Sequence, residues 1–351
     1  TSHMKKIGIL TFHFTTNYGA LLQAYSVQKF LTELGYNAEV VDYRQKSSFR
    51  TYARSLFLNR FFVSGFLKVM RFFKFYRKHL NTSPKVAYSS KKLSMILNRY
   101  DAVVVGSDEV WKIDSFRGYD LSFFLGFAEF SGKKMSFSAS AGSTASFYDK
   151  KNEVCECLKG FDGLLVRDFR TKELLKDECG LNPEKSLDPT LLVKFPELED
   201  DIDYKGDYIL IYGALSDQEQ KYVKSVADSS QCQIISIGAN NNVADTNLVG
   251  AGIEDWVNYI RFAKSVFTIF FHGVIFSLKY LGEVYVFHRP DKSYKIKELV
   301  HDLSLEVSDT CDVKDNKSVE NCQRYQVPSS FARVIDQNRM QVTSFFHDIL
   351  V

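Results

Sequence analysis

The segment SVFTIFFHGVIFSLKYLGEVYVF, from Ser265 to Phe287, decides the fold. Its β-branched and aromatic run Val266–Phe271 predicts a buried strand. The apolar segment Val274–Leu281 has the length of a helix, Gly282 ends it, and Val284–Phe287 begins another strand. A strand, a helix and a further strand in succession predict a parallel α/β sheet.

His272 stands where this predicted strand passes into the helix, at the carboxyl edge of the sheet. Open α/β folds bind ligands at that edge, because a helix N-terminus presents N–H groups and the positive end of its dipole. An imidazole in this position suits acid–base chemistry. The alternative interpretation is an ordinary loop histidine that caps the helix.

The chain opens with the same succession, for which we predict strand Lys5–Leu10, helix Ala20–Leu34 and strand Ala38–Tyr43. This βαβ unit predicts a Rossmann-like parallel sheet. The connecting loop Thr11–Gly19 is long, and it is polar around Asn17. Gly19 would let the backbone approach a ligand at the helix start, so the loop is interpreted as lining a substrate site. It has no GxGxxG pattern and gives little support to a dinucleotide site.

Polar residues also follow other predicted strands of the first half, which are Tyr100–Gly106, Lys134–Ser140 and Phe161–Arg167. Ser107 and Asp108 suit the binding of a sugar hydroxyl or the capping of a helix. Arg167 is suited to a carboxylate or a phosphate. The alternative interpretation of Arg167 is a structural ion pair with Asp168 on the surface.

The pattern predicts two domains and a returning helix. Residues 4–195 form the first Rossmann-like domain, with a basic, aromatic helical insertion at about 44–100. The acidic linker Pro196–Asp203 leads to a second Rossmann-like domain, 204–328. A helix within 329–351 is expected to pack back on the first domain.

The net charge of +3 conceals a strong asymmetry. The stretch Tyr43–Tyr100 has 14 Lys and Arg and no acidic residue. The rest of the chain therefore has 31 of the 45 basic residues and all 42 acidic residues, so it is acidic. Within Arg50–Lys78, a helical projection separates a basic face from an aromatic face, as in an interfacial membrane helix. The alternative is an insertion that packs its aromatics on the first domain. No nucleic-acid module is present, so we expect no nucleic-acid partner.

The remaining composition is typical of a cytoplasmic protein. The opening Thr1–Met4 resembles a cloning scar, so Met4 is the expected native start. No stretch approaches the ~20 apolar residues of a spanning helix. Six scattered cysteines form neither a CxxC pair nor a metal-binding spacing, so they are expected to be reduced thiols, and no metal site is predicted.

Six motifs in order give the chain a resemblance to the polysaccharide pyruvyl transferases. They are NYGALLQAY (Asn17–Tyr25), VVVGSDEVW (Val103–Trp111), FSASAGS (Phe137–Ser143), LLVRDFRTKELL (Leu164–Leu175), LDPTLLV (Leu187–Val193) and FFHGVIFSL (Phe270–Leu278). The resemblance implies a GT-B-like arrangement with a site in the cleft between two domains. It also implies transfer of pyruvyl from phosphoenolpyruvate to two hydroxyls of one sugar as a cyclic ketal, without a metal or other cofactor.

The same resemblance implies roles for individual residues. His272 becomes the acid–base or phosphate-contacting group, and the donor-binding set is Arg167, Phe271, His272 and Gly273. The acceptor-binding candidates are Asn17, Gly19, Ser107 and Asp108. The implied acceptor is a sugar of a capsule, exopolysaccharide or cell wall, on a polyprenyl-diphosphate carrier. The basic stretch Arg50–Lys78 would then hold a cytoplasmic, peripheral enzyme at an anionic membrane surface.

Two departures from the family pattern leave alternatives open. Ile269 and Phe270 stand where the family has polar or basic residues, and Glu109 replaces a glutamine. They remove polar donors from the donor site and add a negative charge to it. The alternatives are a GT-B glycosyltransferase that uses a nucleotide sugar, and a catalytically inactive carbohydrate-binding homologue.

Overall fold

Two β-sheets form the framework of this computed structural model. It describes residues 4–47, 49–50, 53, 62–127, 129–200, 206–309, 319 and 321–351. The chain divides into a first unit, Thr1–Leu58, Tyr76–Val193 and Ile335–Val351, and a second unit, Asn59–Phe75 and Lys194–Val334. Some positions named in the sequence analysis lie outside the described residues. They are Phe57, Arg60 and Phe61 of the basic stretch, Cys311, and the end of the acidic linker.

The first unit contains a six-stranded sheet in which every neighbouring pair is parallel. Its strands are β1 (Lys6–Leu10), β2 (Asn37–Val40), β3 (Ala102–Val105), β4 (Lys133–Ala139), β5 (Gly163–Val166) and β6 (Glu184–Lys185). The order is β2-β1-β3-β4-β5-β6, so it reverses between β1 and β3. The central strand β3, AVVV, is buried along its whole length, as expected of a strand covered on both faces.

Helices connect these strands and cover the sheet. They are α1 (Tyr18–Glu33), α2 (Phe62–His79), α3 (Ser90–Leu97), α4 (Lys151–Lys159), α5 (Phe169–Cys179) and α6 (Pro189–Leu192). Short 3-10 turns occupy Leu121–Phe124 and Tyr148–Lys150. The sequence placed the whole insertion 44–100 in the first domain, whereas α2 belongs to the second unit as far as Phe75.

The second unit contains a seven-stranded sheet in the order β12-β13-β11-β10-β7-β8-β9. Its strands are β7 (Tyr208–Tyr212), β8 (Gln233–Ile237), β9 (Thr246–Leu248), β10 (Ser265–Thr268), β11 (Glu283–Phe287), β12 (Glu306–Asp309) and β13 (Cys322–Gln326). Its helices are the 3-10 turn Pro196–Leu198, α7 (Asp217–Ser230), α8 (Ile253–Phe262), α9 (Phe271–Leu281) and α10 (Ser293–Asp302). The β11–β13 and β12–β13 pairs are antiparallel, an edge that the sequence did not predict.

The last helix, α11 (Phe331–Leu350), returns to the first unit as predicted. Phe346 is fully buried, and its ring lies 6.3 Å from that of Phe30 and 5.4 Å from that of Phe137. The side chain of Asn338 accepts a hydrogen bond from the Leu187 amide at 3.0 Å. The apolar face of α11 therefore completes the core of the first unit.

Two cysteines contradict the expectation of reduced thiols. Cys155 on α4 and Cys179 on α5 form a disulfide, with their Cα atoms 5.1 Å apart. The two positions are 24 residues apart in the sequence, and only the packing of α4 against α5 brings them together. Among the described cysteines, Cys157, Cys232 and Cys322 lie outside this disulfide and keep the expected reduced thiols.

The aromatic residues of α2 divide between two faces. Phe72, Phe75 and Tyr76 are buried, whereas Phe66 and Phe73 are exposed. The alternative in which this stretch packs its aromatics on the protein therefore describes Phe72, Phe75 and Tyr76, but not Phe66 and Phe73. Among the helices that the structure describes, none is long and apolar enough to cross a membrane.

The close fit of α11 on the sheet gives a prediction at Gly163 in β5. A Cβ atom there would lie 2.4 Å from Cδ1 of Ile349 and 2.6 Å from Cε2 of Phe345. We expect Gly163→Ala to lower the free energy of unfolding by about 1–3 kcal/mol through overpacking, as measured by urea denaturation.

The control is the double variant Gly163→Ala/Ile349→Ala. Ile349→Ala removes the nearest obstructing atom, so the double variant should lose less stability than the sum of the single changes. Strict additivity would show that α11 does not pack on Gly163 as described.

Candidate functional site

The second sheet reverses its order next to the predicted histidine. β8 and β9 lie on one side of β7, and β10 and β11 on the other. Such a reversal, at the carboxyl ends of parallel strands, is where open α/β sheets bind ligands. β10 ends at Thr268 and α9 begins at Phe271, so His272 is the second residue of the helix. The predicted strand end at Phe271 is wrong, because a short apolar run does not distinguish strand from helix by periodicity.

His272 lies in the first turn of α9 and is half-buried. Its ring stands edge-on to that of Phe271, with the centroids 5.2 Å apart. Phe270, not His272, is the N-cap residue of α9. His272 is therefore not a loop histidine that caps the helix, and that alternative is wrong.

A compact junction fixes the start of α9 against two strand ends. The Thr268 hydroxyl donates to the Tyr212 carbonyl at 2.8 Å and accepts from the Phe270 amide at 3.1 Å. A Cβ atom at Gly273 would lie 2.5 Å from Oγ1 of Thr268 and 2.8 Å from Cδ1 of Tyr212. The glycine thus allows the first turn of α9 to approach both β10 and β7.

The two unusual positions before the histidine are packing residues. Ile269 is buried, and a Cβ atom at Gly213 would lie 2.6 Å from its Cγ1. The Phe270 ring lies 4.9 Å from that of Tyr212. The departure from the resembled family therefore replaces polar side chains with contacts to the loop after β7.

Two lysines outside the predicted site bring positive charge to this helix start. Nζ of Lys292 lies 4.5 Å from the ring centroid of Phe270, and Nζ of Lys295 lies 5.9 Å from that of Phe271. Cations over aromatic faces are attracted by the ring quadrupole. No sequence pattern indicated this contact, because the lysines follow another strand, β11.

An ion pair fixes the segment that carries Lys292. Nη1 and Nη2 of Arg289 donate to the two Glu219 carboxylate oxygens at 2.8 and 2.7 Å, and the Lys292 amide donates to the Arg289 carbonyl at 3.0 Å. Burial of Glu219 acts to raise its pKa, but the bonds from Arg289 and from the Ser216 amide outweigh burial and lower the pKa.

Arg167, the predicted anion-binding residue, is buried among carboxylates in the first unit. Its Nη1 lies 3.3 Å from Oδ2 of Asp188 and 3.9 Å from Oδ1 of Asp108. Burial acts to lower the pKa of Arg167, but Asp188, Asp108 and Glu109 outweigh burial and raise it above its ordinary value. The alternative of an ion pair between Arg167 and Asp168 on the surface is wrong, because Arg167 is buried. The Asp168 side chain instead caps α5 by accepting a hydrogen bond from the Thr171 amide.

Ser107 and Asp108 form a turn between the ends of two strands. The Ser107 carbonyl accepts from the Thr11 hydroxyl at 2.8 Å, and the Asp108 carbonyl accepts from the Ser140 amide at 3.0 Å. Asp108 has a φ of +76°, in the left-handed region. Ser107 is fully buried, while the Asp108 side chain is one-fifth exposed. The turn thus presents the carboxylate beside Arg167.

Asn17 and Gly19 mark the start of α1. The Asn17 side chain is the N-cap group and accepts from the Ala20 amide at 2.9 Å. Gly19 is buried in the first helical turn, so the predicted loop ends before it. The boundary was placed too late because Tyr18 and Gly19 are weak helix formers. The acceptor-binding roles of both residues stay predictions.

The first unit also contains a polar cluster that the sequence did not single out. Nε2 of His13 lies 3.1 Å from Oδ1 of Asp42, and Nδ1 lies 3.0 Å from the Thr11 carbonyl. Nε and Nη2 of Arg44 donate to the two Asp42 oxygens at 2.8 and 3.0 Å. Burial of Asp42 acts to raise its pKa, but His13 and Arg44 outweigh it and lower the pKa to about 2.

This cluster borders a groove at the carboxyl ends of β1 and β2. The Arg44 guanidinium lies 4.1 Å from the ring centroid of Phe14, and that of Arg117 lies 3.8 Å from Phe12. Aromatic rings and planar polar groups are suited to sugar-sized ligands. Among the described residues, no group of three or more His, Cys, Asp or Glu side chains could hold a metal ion.

The buried Asp42 carboxylate gives a pH prediction. Its folded pKa lies below the unfolded value of 3.8, so its stabilisation is present above about pH 4 and is lost as the pH falls towards 2. Asp42→Asn should lower the free energy of unfolding by about 2 kcal/mol at pH 6, and the difference from wild type should shrink between pH 4 and 2. Urea unfolding across this range measures it. An equal loss from Asp348→Asn, at an exposed carboxylate, would contradict the assignment.

The Arg167 cluster gives a second prediction. Arg167→Met should destabilise the fold by about 3–5 kcal/mol, because Asp188 would remain buried without its partner. Adding Asp188→Asn should restore part of the loss in chemical denaturation. Lys133→Met, which breaks the exposed pair with Asp162, should cost less than ~1 kcal/mol. Equal effects of Arg167→Met and Lys133→Met would refute the buried-pair account.

The fold is similar to that of solved structures with very different sequences. A putative UDP-N-acetylglucosamine 2-epimerase from Listeria monocytogenes is 11% identical, with a TM-score of 0.53 over 99% of this chain and 98% of that one. The S. aureus MnaA–UDP structure is 13% identical, with a TM-score of 0.48 over 98% and 88% of the two chains. The first of these similarities supports a GT-B-like fold of two Rossmann-like units.

No curated protein matches the chain in sequence. The polysaccharide pyruvyl transferase family model, in contrast, matches residues 17–287. This range contains all six motifs of the resemblance, from the α1 N-cap to the end of β11. The chain therefore belongs to the polysaccharide pyruvyl transferase family.

Proposed function

We propose that this family member transfers pyruvyl from phosphoenolpyruvate to two hydroxyls of one sugar and forms a cyclic ketal. The acceptor is a sugar of a surface polysaccharide or of its polyprenyl-diphosphate-linked precursor, met in the cytoplasm. The observation that carries the proposal is the start of α9, where His272, a helix N-terminus and two lysine ammonium groups lie together. This combination suits a small donor with a phosphate and a carboxylate.

The reaction needs no oxidant or reductant. A proton is added to the methylene carbon of phosphoenolpyruvate, and the neighbouring C2 becomes electrophilic. One sugar hydroxyl attacks C2 and loses its proton, and phosphate leaves with the electron pair of the C2–O bond. The second hydroxyl then attacks C2 and loses its proton. The two hydroxyl protons balance the one added to the methylene carbon and the one taken up with the departing phosphate, so the products are a ketal and inorganic phosphate. The steps require proton transfer and stabilisation of the departing phosphate.

His272 is proposed as the acid–base group of this reaction. Its place in the first turn of α9 puts an imidazole beside the positive end of the helix dipole, where a departing phosphate is stabilised. The backbone of Phe271 and Gly273 belongs to the same turn and is proposed to bind the donor. Arg167 remains a donor-binding proposal, with Asp188 and Asp108 as groups that position it.

Lys292 and Lys295 are proposed to supply positive charge for the donor, because Ile269 and Phe270 stand where the family has polar or basic residues. Their ammonium groups lie over the rings of Phe270 and Phe271, next to the turn that carries the histidine. An ammonium group is a compact charge that suits phosphate.

The acceptor proposal rests on the first unit. Asp108 presents a partly exposed carboxylate, which can accept a proton or a hydrogen bond from a sugar hydroxyl. Asn17, Gly19 and Ser107 are proposed to bind the same acceptor. The groove beside Arg44 and Arg117, at the carboxyl ends of β1 and β2, is proposed to contact the same acceptor.

The proposal predicts stabilisation of the protein by phosphoenolpyruvate. At 100 times its dissociation constant, the ligand should add about 2.7 kcal/mol to the free energy of unfolding and raise the melting temperature. The increase should shrink in His272→Ala, Lys295→Gln and Arg167→Lys. Lys297→Gln, an exposed lysine on the same helix as Lys295, is the matched control and should keep the wild-type increase.

Turnover is then measured as phosphate release with a diol sugar present. Phosphate and a sugar whose mass grows by pyruvate minus water are the expected products. Stabilisation by a nucleotide sugar and not by phosphoenolpyruvate would replace the proposal with a glycosyltransferase. Donor binding without phosphate release, across sugars that present suitable diols, would favour an inactive carbohydrate-binding homologue.

A further inference from the structure

Helix α2 presents an apolar stripe to solvent. Five side chains in its first three turns are between 41% and 71% exposed, and they are Val63, Phe66, Leu67, Met70 and Phe73. At 100° per residue they fall within about 120° of the helix circumference. Contiguous exposed apolar side chains on one helix face indicate an interaction surface.

The other side of α2 is fixed to the protein. Phe72 and Phe75 are buried there. Nη1 of Arg71 donates to the Gly250 carbonyl at 2.6 Å, and a Cβ atom at Gly250 would lie 2.8 Å from the Ser64 carbonyl oxygen. The apolar stripe therefore points outward because the opposite face is closely packed.

Positive charge continues the stripe. Lys74 and Arg77 fall within the same arc in the last turns of α2, and Lys78 borders it. All three are exposed. The stretch Tyr43–Tyr100 around the helix has 14 basic and no acidic residues, so no carboxylate of this stretch offsets them.

We infer that α2 docks the protein on an anionic lipid bilayer. The five apolar side chains enter the boundary between headgroups and acyl chains, and Lys74, Arg77 and Lys78 contact the lipid phosphates. On the circumference of α2, Arg77 falls among Phe66, Met70 and Phe73, and Lys74 and Lys78 lie on either side of Leu67, so the basic and aromatic faces adjoin. The inference stands on α2 alone and does not depend on the pyruvyl chemistry.

The test is flotation of the full chain with lipid vesicles. Wild type should float with vesicles of phosphatidylglycerol and phosphatidylcholine in equal parts and not with phosphatidylcholine alone. High salt should release it, since exposed charges are then screened. Phe66→Ser/Phe73→Ser should lower the vesicle partition coefficient at least ~10-fold. Lys74→Gln/Arg77→Gln/Lys78→Gln should lower it about fivefold per charge.

Matched variants elsewhere separate the surface from general effects. Met340→Ser on α11 and Lys151→Gln/Lys159→Gln/Lys176→Gln on α4 and α5 change exposed residues and should leave partition unchanged. Unchanged melting temperatures show that the α2 variants remain folded.

Three outcomes overturn the inference. They are failure of wild type to float with the anionic vesicles, equal partition of the α2 variants and wild type, and a dimer in light scattering that Phe66→Ser/Phe73→Ser dissociates. The last outcome would assign the stripe to a second copy of the chain.

Discussion

The Thr268 hydroxyl fixes the part of the second unit on which the proposed chemistry depends. It donates to the last carbonyl of β7 and accepts from the N-cap amide of α9, so one side chain links two strands and a helix. Gly273 lets the helix close on that hydroxyl without a Cβ atom between them. The direction of the first turn, and with it the position of His272, follows from this junction. The buried sheet holds the histidine in place, and the helix end supplies the favourable dipole.

The two units treat positive charge differently, and the difference separates their proposed roles. In the first unit, the guanidinium groups of Arg167 and Arg44 lie against buried carboxylates, which offset part of their positive charge. In the second unit, the ammonium groups of Lys292 and Lys295 lie over aromatic rings, whose quadrupole attracts a cation. The lysines are thus proposed to serve an anionic donor near α9, and the carboxylate of the first unit to serve a neutral sugar hydroxyl.

The sequence predicted both sheets because buried parallel strands are continuous apolar runs, and it placed β1 and β11 within one residue of their observed limits. It placed the start of α9 three residues late, because an aromatic run fits strand and helix equally well. The disulfide, the Lys292 contact and the His13–Asp42 pair were missed for another reason. Each joins segments that are distant in sequence, and periodicity reports only on residues within one element.

The departures at Ile269 and Phe270 bear on whether family membership extends to activity. Both side chains pack against the end of β7 and the loop after it, so they support the junction. The positive charge reaches the same turn from the segment after β11, which the Arg289–Glu219 pair holds in place. A site can keep its electrostatic character while the residues that provide it change, because a substrate phosphate responds to charge and distance. The loss of local polar donors is therefore compatible with a retained anion site.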